Sequence, residues 1–140
     1  MKNQDVVVNI NSFLEKLDFV SAVRGIEENL HSLERSKKDL HKTGSELYEL
    51  IKQKDEGFLP TLTRKDINVF YTINMYANKF DIRGIREIVK ANTNLWARDH
   101  ITHYLSEDAK GMLQSMSVIP RDEYENKIKQ PPSAYSKGGY

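Results

Sequence analysis

Residues 67–80, "INVFYTINMYANKF", decide the fold class of this chain because the segment fits two secondary structures. Its apolar residues recur every three or four positions, as on one face of a helix. They also alternate with polar residues, and many are β-branched or aromatic, as in a half-buried strand. Residues 6–10 would be the only partner strand, and a sheet of two strands is marginal in water. The segment is therefore predicted to be the central helix of an all-α protein, with a buried stripe of Ile67, Phe70, Ile73, Ala77 and Phe80.

Helix start signals surround this segment. Thr63 precedes it, and Asp66 three residues later completes a capping box, in which two side chains satisfy free backbone N–H groups. Further along the chain, Asp81, Thr93 and Ser106 are each placed to cap another helix. The spacing of these caps predicts a compact bundle of four to five short helices.

Upstream, apolar residues recur in alternating steps of three and four, as in a coiled coil. A capping box at Ser12 predicts where this helix begins, and a second box at Thr43 offers a later start beside Gly44. Two interpretations remain: one long helix over residues 13–53, kinked near Gly44, or an αα-hairpin within a globular bundle. The long helix is favoured because the apolar pattern continues through both Gly25 and Gly44. We call the following residues the heptad seam: Val23, Ile26, Leu30, Leu33, Leu40, Leu47 and Ile51.

Together these patterns divide the chain into three predicted segments. Residues 1–55 form an N-terminal helical arm, coiled-coil-like in its spacing, and residues 56–120 form the compact helical bundle. Residues 121–140 form a short exposed helix followed by a flexible tail rich in Pro, Ser and Gly. No internal repeat of 20 to 50 residues is visible in the sequence.

Composition excludes several classes of protein. The chain has 140 residues, of which 39% are hydrophobic and 29% are charged, enough for a packed core beneath a charged surface. The absence of cysteine excludes disulfide scaffolds and thiolate metal sites. No apolar stretch is long enough for a signal peptide or a membrane span. We therefore expect a cytoplasmic protein that does not associate with membranes.

No arrangement of residues meets the first requirements of an active site. The chain contains neither a nucleophile elbow, Gly-x-Ser-x-Gly, nor a glycine-rich phosphate-binding loop. His100, His103 and Glu107 are close in sequence, but a metal site draws its ligands from several such clusters and this chain has one. We therefore expect no enzymatic activity, no metal and no cofactor.

A basic stripe is the strongest candidate for a binding site outside the arm. Lys79, Arg83, Arg86 and Lys90 are spaced four, three and four residues apart, which would align them on one helix face. Such a stripe could contact nucleic-acid phosphates, and residues 85–105 loosely resemble a helix–turn–helix in their spacing. The alternative is an ordinary solvated helix face, because the net charge is only +1, from 21 basic and 20 acidic residues.

The heptad seam is the main basis of the functional prediction. An aliphatic stripe on a charged helix must be buried against a partner. We therefore expect a non-enzymatic helical protein–protein interaction module, an adaptor, chaperone or structural subunit, that self-associates through the seam. A homo-oligomer is expected, with a dimer favoured on symmetry grounds, and another protein as a further partner. The alternative is a nucleic-acid-binding accessory protein that uses the basic stripe.

Overall fold

The computed structural model describes residues 3–58 and 61–121, and these residues are all-α, without strands. Four 3-10 helices lie between the α-helices, at Ser32–Arg35, Lys37–Asp39, Thr93–Ala97 and Ile101–Tyr104. The predicted short helix and tail after Arg121 lie outside the described residues. The six α-helices are α1 (Asn3–Glu15), α2 (Phe19–Glu28), α3 (Lys42–Asp55), α4 (Arg64–Asn78), α5 (Ile82–Ala91) and α6 (Glu107–Ser115).

The segment that was ambiguous between helix and strand lies in α4, so the helical prediction is confirmed. The predicted capping box is present: Thr63 Oγ1 accepts from the Asp66 N–H at 3.1 Å, and Asp66 Oδ2 accepts from the Thr63 N–H at 2.9 Å. Phe70, Ile73 and Ala77 are fully buried at helical spacing. Local capping and burial of a helical stripe therefore outweigh the β-propensity of the individual residues.

The prediction of one long helix over residues 13–53 is wrong. Ser12 lies inside α1 rather than at its start, and α1 ends before Leu17, whose φ of +61° is left-handed. A new helix, α2, then begins at Asp18, whose carboxylate accepts from the Ser21 N–H at 3.0 Å. After α2 the chain runs through two 3-10 helices before α3 begins at Lys42. The helices therefore end and begin again although the apolar spacing continues.

The heptad seam lies in the core of its own chain. Ile26, Leu33 and Leu47 are fully buried, Leu40 and Ile51 are buried, and Val23 and Leu30 are half-buried. Because α1, α2 and α3 pack against one another, these residues meet inside the molecule. The structure therefore removes the physical basis for the predicted coiled-coil interface, since no exposed aliphatic stripe remains for a second copy to cover.

Gly44 occupies a heptad position without a side chain and lies where α3 packs closely against α1. A Cβ atom at this position would come within 3.2 Å of Leu14 Cδ1 and 3.4 Å of Leu40 Cβ. Nearby, the Asn11 side chain accepts from the His41 N–H at 2.9 Å and thereby fixes the start of α3 to α1. The helix therefore begins beside His41, slightly before the predicted capping box.

The core continues into the second half of the chain through an aromatic cluster. Trp96 lies between Phe19 of α2 and Phe70 of α4. Its ring centroid is 6.4 Å from that of Phe19 and 6.1 Å from that of Phe70. Its indole N–H donates to the Val89 carbonyl at 3.2 Å, so the buried polar atom is satisfied. Trp96 is part of a 3-10 helix, so the α-helix predicted after Thr93 is wrong, and residues 85–105, which loosely resemble a helix–turn–helix in sequence, do not contain a second α-helix.

Candidate interaction surface

Large exposed apolar side chains gather at the corner between α4 and α5. Tyr71 and Met75 are 52% and 60% exposed and lie one turn apart on α4. Phe80, in the turn, is 73% exposed, and Ile82, which begins α5, is 49% exposed. Four cations accompany them on the same two helices. We call this set the α4–α5 surface: Tyr71, Met75, Lys79, Phe80, Ile82, Arg83, Arg86 and Lys90.

Phe80 combines exposure with a strained backbone. Its φ of +54° is left-handed, a conformation that glycine usually supplies at the end of a helix. The turn is fixed because the Asp81 N–H donates to the Tyr76 carbonyl at 2.9 Å. Most of the ring contacts solvent, so little burial offsets the cost of this backbone conformation. A strained residue without compensating burial is typical of a functional position.

The start of α5 is held in one orientation by Asp81. The Asp81 carboxylate accepts from the Gly84 N–H at 2.9 Å, which caps the helix as predicted. A Cβ atom on Gly84 would lie 2.8 Å from Asp81 Oδ2 and 3.1 Å from the Tyr76 ring, so only glycine fits this corner without a shift. The cap and the close approach therefore fix how α5 presents its side chains.

The four cations of the basic stripe are exposed, but they do not share one helix. Lys79 is the C-cap of α4, and only Arg83, Arg86 and Lys90 lie on α5. The predicted single stripe is wrong because α4 ends at Asn78 and α5 begins at Ile82. Within residues 3–58 and 61–121, the ion pairs join other residues, and none includes these four cations. Glu87 lies among the cations of α5, so the surface is basic overall but includes a carboxylate.

A groove of about 500 Å³ runs along one side of α5. The ends of α1 and α6 form its other wall. Its lining is apolar at Leu17, Ile82 and Met116, and charged at Lys16, Arg86, Lys90 and Glu15. Because the cations outnumber the carboxylate, this mixed lining suits an apolar partner surface that carries carboxylates.

The two clustered histidines, His100 and His103, pack against each other. The His100 and His103 rings stack with their centroids 5.8 Å apart. Asp99, beside them, forms an ion pair with Lys54 at 2.9 Å. In the described part of the chain, no three side chains of the metal-binding types converge on a common point.

The sequence predicted the cations of this surface but not its apolar residues. Phe80 was expected in the buried stripe of α4, and that prediction is wrong. A signal was present, because a cap at Asp81 requires the preceding helix to have ended, which places Phe80 in a turn. Met75 and Ile82 carried no such signal, because exposure of a single apolar residue depends on how the helices pack.

Comparison with known proteins gives no relative for this chain: no protein-family model, no curated protein and no solved structure matches it. None of the helices in the described residues has both the length and the apolar content needed to cross a membrane. Function is therefore inferred from the geometry and charge of the α4–α5 surface.

Proposed function

We propose that this chain is a non-enzymatic helical protein–protein interaction module, an adaptor, chaperone or structural subunit of the cytoplasm, that binds through the α4–α5 surface. The observation that carries the proposal is the exposed, left-handed Phe80 among three further exposed apolar side chains. Apolar anchors supply most of the affinity of a protein interface. The surrounding cations supply selectivity for an acidic partner.

The composition of the surface favours a protein over a nucleic acid. Met75 and Ile82 are aliphatic and exposed, and neither can stack on a base or bind a phosphate. Methionine adapts its shape to irregular apolar partners and is common on protein-binding surfaces. Self-association through the heptad seam is no longer part of the proposal, because most of those residues are buried in the chain's own core.

Site-specific photo-crosslinking in extracts of the source cells tests this proposal. A photoreactive residue at Met75 is expected to give discrete products containing another protein, identified by mass spectrometry. The matched control places the same residue at Val8, which is 62% exposed on α1, away from the surface. Adding Ile82→Asp is expected to abolish the Met75 products. Identical product patterns from Met75 and Val8 would contradict the proposal.

A second candidate function is nucleic-acid binding, supported by the four exposed cations that form no ion pair within the described residues. Each phosphate contact contributes roughly 0.9 to the slope of log affinity against log salt concentration. Titration of labelled duplex DNA and single-stranded RNA at low salt measures this slope. Arg86→Gln with Lys90→Gln is expected to lower it by about two, whereas Arg35→Gln with Lys38→Gln is not. Absence of binding at low salt eliminates this candidate.

A further inference from the structure

The two halves of the chain repeat the same order of elements. Residues 3–58 contain α1, α2, two 3-10 helices and α3. Residues 64–118 contain α4, α5, two 3-10 helices and α6 in the same order. The period of this repeat is longer than 50 residues. The buried residues Ala22 and Ile26 of α2 fall at positions equivalent to the buried Ile85 and Val89 of α5.

The ends of α2 and α5 match in detail. Their N-caps, Asp18 and Asp81, have φ and ψ of −85° and 75°, and −86° and 81°. Each carboxylate accepts from the N–H three residues later, at 3.0 and 2.9 Å. Their C-caps, Asn29 and Asn92, each donate from Nδ2 to the carbonyl four residues earlier, at 2.8 and 2.9 Å. The second residue of α2, Val20, is therefore equivalent to the second residue of α5, Arg83.

The ends of α3 and α6 match as well. Gly57 and Ser117 follow these helices with left-handed φ values of +84° and +64°. The next residues, Phe58 and Val118, each donate a backbone N–H to the carbonyl five residues earlier, at 2.8 and 2.9 Å. Gly57 is therefore equivalent to Ser117, and Phe58 is equivalent to Val118.

Within the chain, the end of α6 docks on the start of α2. The Val20 N–H donates to the Ser117 carbonyl at 3.0 Å. Val118 and Ile119, which follow, are 1% and 2% exposed, so the docked segment is buried. In this contact, the third α-helix of the second repeat, α6, covers the start of the second α-helix of the first repeat, α2.

The equivalent pair of surfaces is open. Phe58, the counterpart of Val118, is 73% exposed at the end of α3. At the start of α5, Ile82 is 49% exposed. Over residues 3–58 and 61–121, the Arg83 N–H donates to no carbonyl at the end of α3, whereas its counterpart, the Val20 N–H, donates to the Ser117 carbonyl after α6. Among the described residues, the end of α3 and the start of α5 are therefore not docked against each other.

Opposite charges replace neutral residues on both open surfaces. Asp55 and Glu56 are exposed at the end of α3, where α6 has Ser115 and Met116. On α5, Arg83 and Arg86 are exposed at positions equivalent to Val20 and Val23 of α2, and the exposed Glu87 is equivalent to Arg24, so the surface gains two cations and one carboxylate. Complementary charge suits a contact between separate molecules, since each surface must remain hydrated when unbound.

We propose that the end of α3 in one copy of this chain docks on the start of α5 in a second copy, reproducing the α6–α2 contact between molecules. The proposal rests on the proposed function and names a second copy as a partner of the α4–α5 surface. The Gly57 carbonyl then accepts from the Arg83 N–H, and Phe58 covers Ile82. Because the two surfaces differ, the contact is heterologous and joins copies head to tail into a ring or an open chain.

Light scattering on the full chain over a hundredfold range of concentration tests this arrangement. The mass of the wild type is expected to rise with concentration. Phe58→Ser removes one surface and Ile82→Asp removes the other, so each variant alone remains monomeric, with affinity lowered at least about tenfold. Mixed together, the variants retain one intact pair of surfaces and form only a 1:1 dimer. Val8→Ser, the control at an exposed site elsewhere, associates like the wild type.

A wild type that is monomeric at every concentration overturns the proposal, as does a variant mixture that stays monomeric or either variant associating like the wild type. Failure here leaves the proposed function separately measurable, because Met75 lies on α4 outside the docked pair. Crosslinks from Met75 to a different protein would persist without self-association. Conversely, a 1:1 dimer of the two variants without such crosslinks would support self-association alone.

Discussion

At Phe80, neither the exposed position nor the left-handed backbone favours a phenylalanine. A left-handed conformation costs a bulky residue about 1–2 kcal/mol, and glycine adopts it freely. Since the ring is largely exposed, Phe80→Gly is expected to raise the free energy of unfolding by about 1 kcal/mol and to weaken partner binding. Urea denaturation and the Met75 crosslinking assay measure the two effects.

Leu17 is the natural control for Phe80. It also has a left-handed φ, of +61°, but its side chain packs against the core. Leu17→Gly therefore loses packing as well as strain and is expected to give no comparable gain in stability. A Phe80→Gly variant that is less stable than the wild type would show that the ring supports the fold and is not kept for binding.

Tyr48 gives the folded protein an alkaline limit. Burial, together with a 2.8 Å hydrogen bond donated to Glu34, raises the pKa of Tyr48 to about 12. The unfolded chain releases this proton near pH 10, so the contribution is complete below pH 10 and is lost as the pH rises towards 12. Between pH 9 and pH 11, the wild type is expected to lose more stability in urea than Tyr48→Phe. Equal losses would contradict this.

Among single residues, the sequence predicted those whose effect is local. The caps at Thr63, Asp81 and Ser106 are all confirmed, because each requires only a side chain and an N–H three residues away. Three other predicted caps are wrong: Ser12 lies inside α1, Thr43 lies inside α3, and the Thr93 hydroxyl donates to Glu46 of α3 at 3.3 Å instead of capping a helix. Contacts of this kind depend on distant parts of the chain and are not visible in a local pattern.

At the scale of whole helices, the heptad seam shows how a real periodicity can mislead. The apolar spacing is present, but caps and 3-10 helices divide it among α2, the connecting segment and α3. These elements turn their apolar sides towards one another, so the same spacing serves a core instead of a coiled coil. All-α structure was predictable, whereas the path of the chain depended on where each helix ends.

Burial of the seam has a direct consequence for stability. Leu47 is fully buried in α3, so Leu47→Ala is expected to lower the free energy of unfolding by about 2–5 kcal/mol. The loss should be the same at all protein concentrations, because the leucine packs within one molecule. Val8→Ala, at an exposed site of α1, is the control and should change stability little. A destabilisation that disappears at high concentration would indicate burial between copies.

For the molecule as a whole, the charge distribution matters more than the net charge of +1. The ion pairs of the described residues lie around α3 and join Glu34, Lys37, Glu49, Lys52, Lys54 and Asp99. The cations of the α4–α5 surface lie outside this group. The sequence predicted these cations, but their separation from the ion pairs of the described residues, and their apolar neighbours, emerge only when the helices are packed.

Amide hydrogen exchange on dilute and concentrated full-length protein tests most directly whether binding occurs at the α4–α5 surface or at the heptad seam. We predict that the amides of Ile26 and Leu47 are protected at both concentrations, because they lie in the core. The amides at the start of α5 and at Phe58 are predicted to exchange more slowly only in the concentrated sample. If instead Ile26 and Leu47 exchange rapidly when dilute and become protected when concentrated, the heptad seam is the interface and binding does not occur at the α4–α5 surface.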